Sequence, residues 1–299
     1  HSSPVGHDCG STKAGRTMLP QRIDRASERD WETKTMKGPK GLLFSSASGA
    51  DSGSGTASRT SDTGTSIFNA ALCEILLAWF SREGDSVLDP FAGGSVRGVV
   101  ANSMGRRYTG VELRAEQVEA NREQGAKICP GKEPRWIIGD SSGIDALAGD
   151  AAPYDFILTC PPYGDLEEYS DDPADLSHMD VKSFDEAYAR IIRKTVGLLA
   201  TDRFAAVVVG NYRDARGFLV DLAGKTVRMM EDAGAKFYDD FIVVQPCGSL
   251  PIRTRKQFLV SRKAGRRHQF ALVFCKGNGD FLRVGTNKYF AGHCLVTNL

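Results

Sequence analysis

Apolar residues beyond position 65 recur at two spacings, one typical of amphipathic helices and one typical of buried strands. Between Ile67 and Phe80 they return every third or fourth position, which predicts a helix that Gly84 closes. Strands are predicted at 86–91, 107–113, 135–140, 154–159, 204–209, 237–244 and 269–275. Further helices are predicted at 96–104, 115–126, 184–199 and 219–233.

Strands and helices alternate along this part of the chain, which predicts a doubly wound α/β domain with a mostly parallel, seven-stranded sheet. A long segment, 245–267, separates the last two strands. Pro246, Gly248 and Pro251 lie in it and predict a loop rather than a helix. A chain that returns through such a loop can pair antiparallel, so we expect an antiparallel last strand.

The first 64 residues have a different composition, rich in Ser, Gly, Thr, Lys and Arg. The stretch 45–64 is almost entirely small and polar and has too little apolar surface to order itself. We therefore predict a low-complexity, partly disordered arm at 1–64, a folded domain at 65–280 and a C-terminal tail at 281–299.

Composition excludes few functions by itself. The 299 residues are 41% hydrophobic and 25% charged with a net charge of +1, which is typical of a globular protein. The 7 cysteines include no CxxC pair, so we expect neither a zinc site nor a redox motif, and we expect reduced thiols in a cytoplasmic protein. No apolar run reaches membrane-spanning length, so we expect no membrane segment.

The sequence Thr159-Cys160-Pro161-Pro162-Tyr163 carries the clearest chemical signal. It follows a buried strand, and its two prolines end the strand because proline cannot donate to a sheet ladder. The corner therefore offers a flat ring and an uncommitted carbonyl at the carboxyl end of a strand, where ligands of open α/β sheets bind. Such a corner suits a planar substrate that carries an amino group.

Three other strand ends predict a nucleotide-like cofactor. The turn 89–98 follows a strand and opens a helix, and its glycines let a ligand approach the backbone. Glu112 ends the next strand, where an acid can hold two ribose hydroxyls. Asp140 ends the third strand, where it can accept an adenine amino group or, alternatively, cap a helix at 141–147.

Together these motifs resemble the S-adenosylmethionine-dependent DNA amino-methyltransferases, which methylate the exocyclic nitrogen of adenine or cytosine. Segments 65–68, 166–172, 209–214 and 268–274 are similar to the DNA methylases that phages encode, and the similarity covers residues 65–280. The resemblance implies a Rossmann-like methyltransferase fold, S-adenosylmethionine as the cofactor, no metal, and a flipped base of double-stranded DNA as the substrate.

The resemblance also assigns roles. Asp89 and the 91–94 backbone would hold the methionine part of the cofactor, Glu112 its ribose and Asp140 its adenine. The full implied cofactor set is Ser66, Phe68, Asp89, Phe91, Ala92, Gly93, Gly94, Glu112 and Asp140. The implied catalytic set is Cys160, Pro161, Pro162 and Tyr163.

In this family the Pro161 carbonyl would accept a hydrogen bond from the base amine, localise its lone pair and align it with the methyl donor. The Tyr163 ring would stack on the flipped base. Cys160 stands where the family commonly has Asp, Asn or Ser, and sulfur is a weak acceptor, so adenine and cytosine both stay open as targets. A second interpretation makes Cys160 the covalent nucleophile of cytosine C5 methylation.

Two segments near the sheet edge differ in charge. Residues 164–180 contain acids but no Lys or Arg, which predicts a solvated lid. The stretch 241–279 contains no acid, and we expect its basic loop to contact nucleic-acid phosphates rather than only solvent. The basic set is Arg253, Arg255, Lys256, Arg262, Lys263, Arg266 and Arg267.

The sequence therefore favours a DNA N-methyltransferase. An RNA or protein-glutamine methyltransferase on the same scaffold remains open, since an amide or amine needs the same activation. A cofactor-binding module that has lost activity and binds DNA also remains open. The sequence does not predict the oligomeric state.

Overall fold

The computed structural model describes residues 68–163, 172, 174–214, 216–245 and 250–278, with the backbone alone for 250–253 and 256. The predicted arm at 1–64, Ser66 and the predicted tail at 281–299 lie outside the described residues. The strands are β1 Ser86–Asp89, β2 Arg107–Glu112, β3 Arg135–Ile138, β4 Tyr154–Thr159, β5 Leu199–Val209, β6 Tyr212–Arg213, β7 Leu219–Val220, β8 Ala235–Val244 and β9 His268–Lys276. The α-helices are α1 Ala70–Phe80, α2 Val96–Ser103, α3 Ala115–Ile128, α4 Ile144–Ala148, α5 Val181–Leu198, α6 Leu222–Asp232 and α7 Leu250–Ser261.

The main sheet has the strand order β3-β2-β1-β4-β5-β9-β8. Strands β1 to β5 pair parallel, and β9 pairs antiparallel with both β5 and β8. This arrangement confirms the predicted doubly wound, Rossmann-like fold and its antiparallel last strand. The strand order reverses between β1 and β4, so the carboxyl ends of β1, β2 and β4 and the start of β9 meet at one edge.

The core lies on both faces of this sheet. Strands β1 and β4 are almost completely buried, which is typical of parallel strands covered by helices on both sides. On one face, α5 buries Phe184, Tyr188 and Ile192 against the sheet. On the other face, α1 places Phe80 against Phe204, with ring centroids 5.2 Å apart. Helices packed in this way hold the functional strand ends in fixed positions.

The predicted loop at 245–267 is wrong for residues 250–261, which form helix α7. Pro251 is compatible with the helix because it lies in the first turn, where its missing N–H has no partner to lose. The helix predicted at 219–233 begins at Leu222, since Leu219–Val220 pairs with Tyr212–Arg213 as a short hairpin. Asp221 then caps α6 by accepting a hydrogen bond from the Gly224 N–H.

None of the helices in the described part of the chain is long and apolar enough to cross a bilayer.

Candidate active site

The glycine turn between β1 and α2 is held from two neighbouring elements. Gly93 has φ +50°, in the left-handed region that glycine adopts without strain. Its N–H donates to Glu112 Oε2 at 2.9 Å, and its carbonyl accepts from Asn121 Nδ2 at 2.7 Å. A Cβ on Gly93 or Gly94 would meet no atom within 4 Å, so the turn faces open space through which a ligand can approach its backbone.

Glu112 lies at the end of β2, directly beside this turn. Its second oxygen accepts from the Arg114 N–H at 3.1 Å, and its side chain is 12% exposed. Burial raises the pKa of Glu112, and hydrogen bonds from Arg114 and Gly93 partly oppose that effect. A carboxylate has about four lone-pair sites, so two backbone contacts leave acceptor capacity for hydroxyl groups. The geometry fits the predicted ribose contact.

Asp89 is completely buried, and four donors surround its carboxylate. Oδ1 accepts from the Phe91 N–H at 3.0 Å and from Thr159 Oγ1 at 2.7 Å. Oδ2 accepts from Arg97 Nε at 2.6 Å and from the Tyr108 hydroxyl at 2.8 Å. The carboxylate therefore joins β1, α2, β2 and β4, and this geometry favours an indirect role in cofactor binding over the predicted direct contact.

Arg97 lies in the predicted glycine motif but was not predicted as a site residue. It is 5% exposed, and its Nη2 donates to the Phe91 carbonyl at 2.5 Å and to the Ala92 carbonyl at 3.1 Å. Burial alone lowers the pKa of Arg97, but Asp89 and Tyr108 raise it above the ordinary value. The Phe68 ring centroid lies 4.7 Å from its guanidinium carbon. The sequence feature that could have identified it is an arginine within the glycine motif, at a position on the buried side of α2.

Thr159 connects the two predicted functional motifs. It is the last residue of β4, is fully buried, and directly precedes Cys160. Its hydroxyl donates to the same Asp89 carboxylate that orders the glycine turn. The glycine turn and the predicted catalytic corner, residues 160–163, are therefore linked through one buried acid.

Asp140 is exposed at the end of β3 and caps a short 3₁₀ turn, Ser141–Gly143. Its Oδ1 accepts from the Ser142 N–H at 2.8 Å, and its Oδ2 accepts from the Ser142 hydroxyl. This contact matches the alternative reading of Asp140 as a cap, while the adenine contact stays a prediction. The neighbouring Ser141 hydroxyl donates to the Pro90 carbonyl and fixes this turn beside the glycine turn.

The predicted catalytic corner, residues 160–163, lies at the carboxyl end of β4. Pro161 is buried, whereas Cys160, Pro162 and Tyr163 are half-buried. The Tyr163 hydroxyl lies 3.8 Å from Cys160 Sγ and accepts from Gln269 Nε2 at 2.8 Å. Gln269 was missed as a site residue, although its place in β9, which starts at the same sheet edge, is a signal for it. These contacts fix the orientation of the tyrosine ring.

The basic segment also reaches this edge. Arg266 Nη1 lies 3.5 Å from the Asn211 carbonyl, just after β5, and Arg267 donates to the Gln245 carbonyl from Nε and Nη2. Lys263 lies against Gly217, in the connection between β6 and β7. The side chains of Arg253 and Lys256, and the acidic stretch 164–171, lie outside the described residues.

Among the described residues, no three His, Cys, Asp or Glu side chains are grouped so that they could hold a metal ion.

Comparisons with known proteins match a family model and a curated relative. Residues 30–123 match a family model described as DNA methylase. The type II methyltransferase M2.DpnII of Streptococcus pneumoniae is 38% identical over 53 residues, which are 18% of this chain and 20% of that protein. The chain thus matches about a fifth of the length of this relative. The glycine turn and Glu112 fall inside the family match, and the corner at 160–163 falls outside it.

Solved structures match this chain at low identity. TrmN from Thermus thermophilus is 17% identical, with 70% of this chain and 49% of that chain covered and a TM-score of 0.47. The [4+2]-cyclase SpnF is 15% identical, with 70% and 82% covered and a TM-score of 0.49.

Proposed function

We propose that this chain, whose residues 30–123 belong to the DNA methylase family, transfers a methyl group from S-adenosylmethionine to the exocyclic amine of adenine or cytosine. The observation that carries the proposal is the bond between Thr159 and Asp89. This hydrogen bond connects the corner at 160–163, which suits an amino group, to the glycine turn, which suits a methyl donor. A phage-type origin stays a prediction.

On this proposal the cofactor lies along the carboxyl ends of β1, β2 and β3. The open space beside Gly93 and Gly94 accommodates its methionine part, and the remaining acceptor capacity of Glu112 suits its ribose hydroxyls. Arg97 and Asp89 hold the turn in shape from behind and act as positioning residues. Bound S-adenosylmethionine supplies an electrophilic methyl group.

The corner prepares the acceptor nitrogen. The Pro161 carbonyl accepts a hydrogen bond from the amine, which localises the nitrogen lone pair, and Tyr163 stacks on the extruded base. Gln269 holds the Tyr163 hydroxyl, so the ring keeps its orientation before the base arrives. After transfer, the excess amine proton leaves to solvent.

The substrate on this proposal is double-stranded DNA, and the cations after α7 contact its phosphates. RNA bases and protein amides need the same activation at a Pro-Pro-Tyr corner. The match of residues 30–123 to DNA methylases supports DNA over both. The intact Pro161-Pro162-Tyr163 sequence supports an active enzyme over a module that has lost activity.

The test compares three polymers. The protein is incubated with tritiated S-adenosylmethionine and unmethylated plasmid DNA, total RNA or mixed protein, and the acid-insoluble label is counted. Label in DNA that disappears in Tyr163→Ala is the expected result. Label confined to RNA or protein, or label in none of the three, would overturn the proposal.

A further inference from the structure

Helix α7 exposes apolar side chains in the middle of a basic surface. Leu259 is 64% exposed and Val260 is 81% exposed. No acid occurs anywhere in 241–279, and Arg255 and Arg262 flank the pair along the chain. Adjacent large apolar side chains that are exposed to solvent, with charged residues around them, indicate a binding surface.

The rest of the helix indicates which way this pair faces. Phe258, the residue before the pair, has the Arg262 guanidinium 5.5 Å from its ring centroid. It also lines an open groove of about 350 Å³ with Thr254, Arg255 and Lys263, between α7 and the returning chain. Successive helix residues are about 100° apart, so Leu259 lies about 100° and Val260 about 160° around the helix axis from Phe258, and neither shares its direction.

The length of the connecting chain limits how far the end of α7 can lie from the corner at 160–163. From Val260 the chain runs past Arg266, beside Asn211, to Gln269, which donates to Tyr163. A segment of that length spans at most about 32 Å. That distance is roughly one turn of duplex DNA, so a single DNA molecule can reach both places.

We propose that the C-terminal end of α7 opens duplex DNA, with Leu259 and Val260 entering the base stack while Arg262, Arg266 and Arg267 hold the phosphates. The idea rests on the proposed function, which requires a base to leave the stack. Apolar side chains that enter between base steps unstack and kink a duplex. A second copy of this chain fits the surface less well, because a two-fold interface would bring the same cations together.

The test measures unwinding rather than methylation. Relaxed closed plasmid is incubated with the protein, treated with topoisomerase I and deproteinised, and its linking number is read on a gel. We expect the native chain to shift the linking number. The double variant Leu259→Gln, Val260→Gln should abolish the shift in linking number. Its Kd for DNA should change by less than about threefold, and the salt dependence of binding should stay the same, because the phosphate contacts remain.

Val181→Gln is a matched control, since Val181 is also an exposed valine on a helix, at the start of α5. It should unwind DNA like the native chain, and circular dichroism should show equal helix content in both variants. Three results would each overturn the proposal: a native chain that binds DNA without unwinding it, a double variant that still unwinds it, or a double variant that loses binding as well. A dimer that the double variant converts to a monomer would identify the surface as self-association. Unwinding without methyl transfer would overturn the proposed function alone.

Discussion

The bond between Thr159 and Asp89 can be removed with almost no change of shape. Thr159→Val replaces the hydroxyl by a methyl group and deletes one donor, at 2.7 Å, from a fully buried carboxylate. The contacts from Phe91, Arg97 and Tyr108 remain. Hydrogen bonds to charged groups contribute about 1.5–3 kcal/mol, so urea unfolding should show a loss of stability in that range.

The catalytic effect should exceed the effect on cofactor affinity. The remaining three donors keep the glycine turn ordered, so the Kd for S-adenosylmethionine by calorimetry should rise by less than about threefold. Without this hydrogen bond the corner at 160–163 is no longer held to the glycine turn. A misplacement of reacting groups by about 1 Å can lower the rate about 100-fold, so kcat should fall by about 10-fold to 100-fold. An equal loss of cofactor affinity and kcat would refute the idea that Thr159 aligns the two motifs.

Thr195→Val is the matched control. Thr195 is equally buried, but its hydroxyl donates to the Ile191 carbonyl within α5, at 2.8 Å. That acceptor is neutral and already bonded in the helix, so the loss of stability should stay below about 1 kcal/mol. The kcat should equal that of the native chain. A control that loses kcat as Thr159→Val does would show that any buried threonine has this effect.

Three further variants test other parts of the site. Tyr163→Ala should abolish methyl transfer and leave calorimetric binding of S-adenosylmethionine unchanged; weaker cofactor binding would place the ring in the wrong pocket. Burial raises the pKa of Glu112 above its ordinary value of 4.5. At a pH between the pKa of the unfolded chain and the higher pKa of the native state, only the native state keeps the proton. Stability therefore falls as pH rises through that interval. Glu112→Gln should flatten this decline in urea titrations and raise the Kd for S-adenosylmethionine at least about 10-fold; an unchanged Kd would remove the ribose role. Arg266→Gln with Arg267→Gln should reduce the slope of log K against log salt by up to about 2, and an unchanged slope would place the DNA surface elsewhere.

Much of the fold follows from local patterns in the chain. The strands β1, β2, β4 and β9 are short apolar runs between turn signals, and the helices α2 and α3 follow them at helical spacing. Helix α7 was missed because proline and glycine near its start outweighed the helix-forming residues after them. Proline ends a helix only in its interior, and Pro251 lies in the first turn.

The site was predictable only as far as its motifs are continuous. The glycine turn, Glu112 and the corner 160–163 are each local, and the topology brings them to one sheet edge. The role of Asp89 was not predictable, because Tyr108 and Thr159 reach it from neighbouring strands far along the chain. The contact between Gln269 and Tyr163 depends in the same way on how β9 enters the sheet.

Nucleoside mass spectrometry of DNA incubated with the protein shows directly whether an exocyclic amine is methylated. Plasmid DNA that lacks methylation is incubated with the protein and S-adenosylmethionine, digested to nucleosides and compared with a digest from Tyr163→Ala. We expect N6-methyladenine or N4-methylcytosine in the native digest and neither in the variant. C5-methylcytosine would instead make Cys160 the nucleophile, and it would contradict an amine held by the Pro161 carbonyl. DNA without any methylated base would contradict the proposed activity itself.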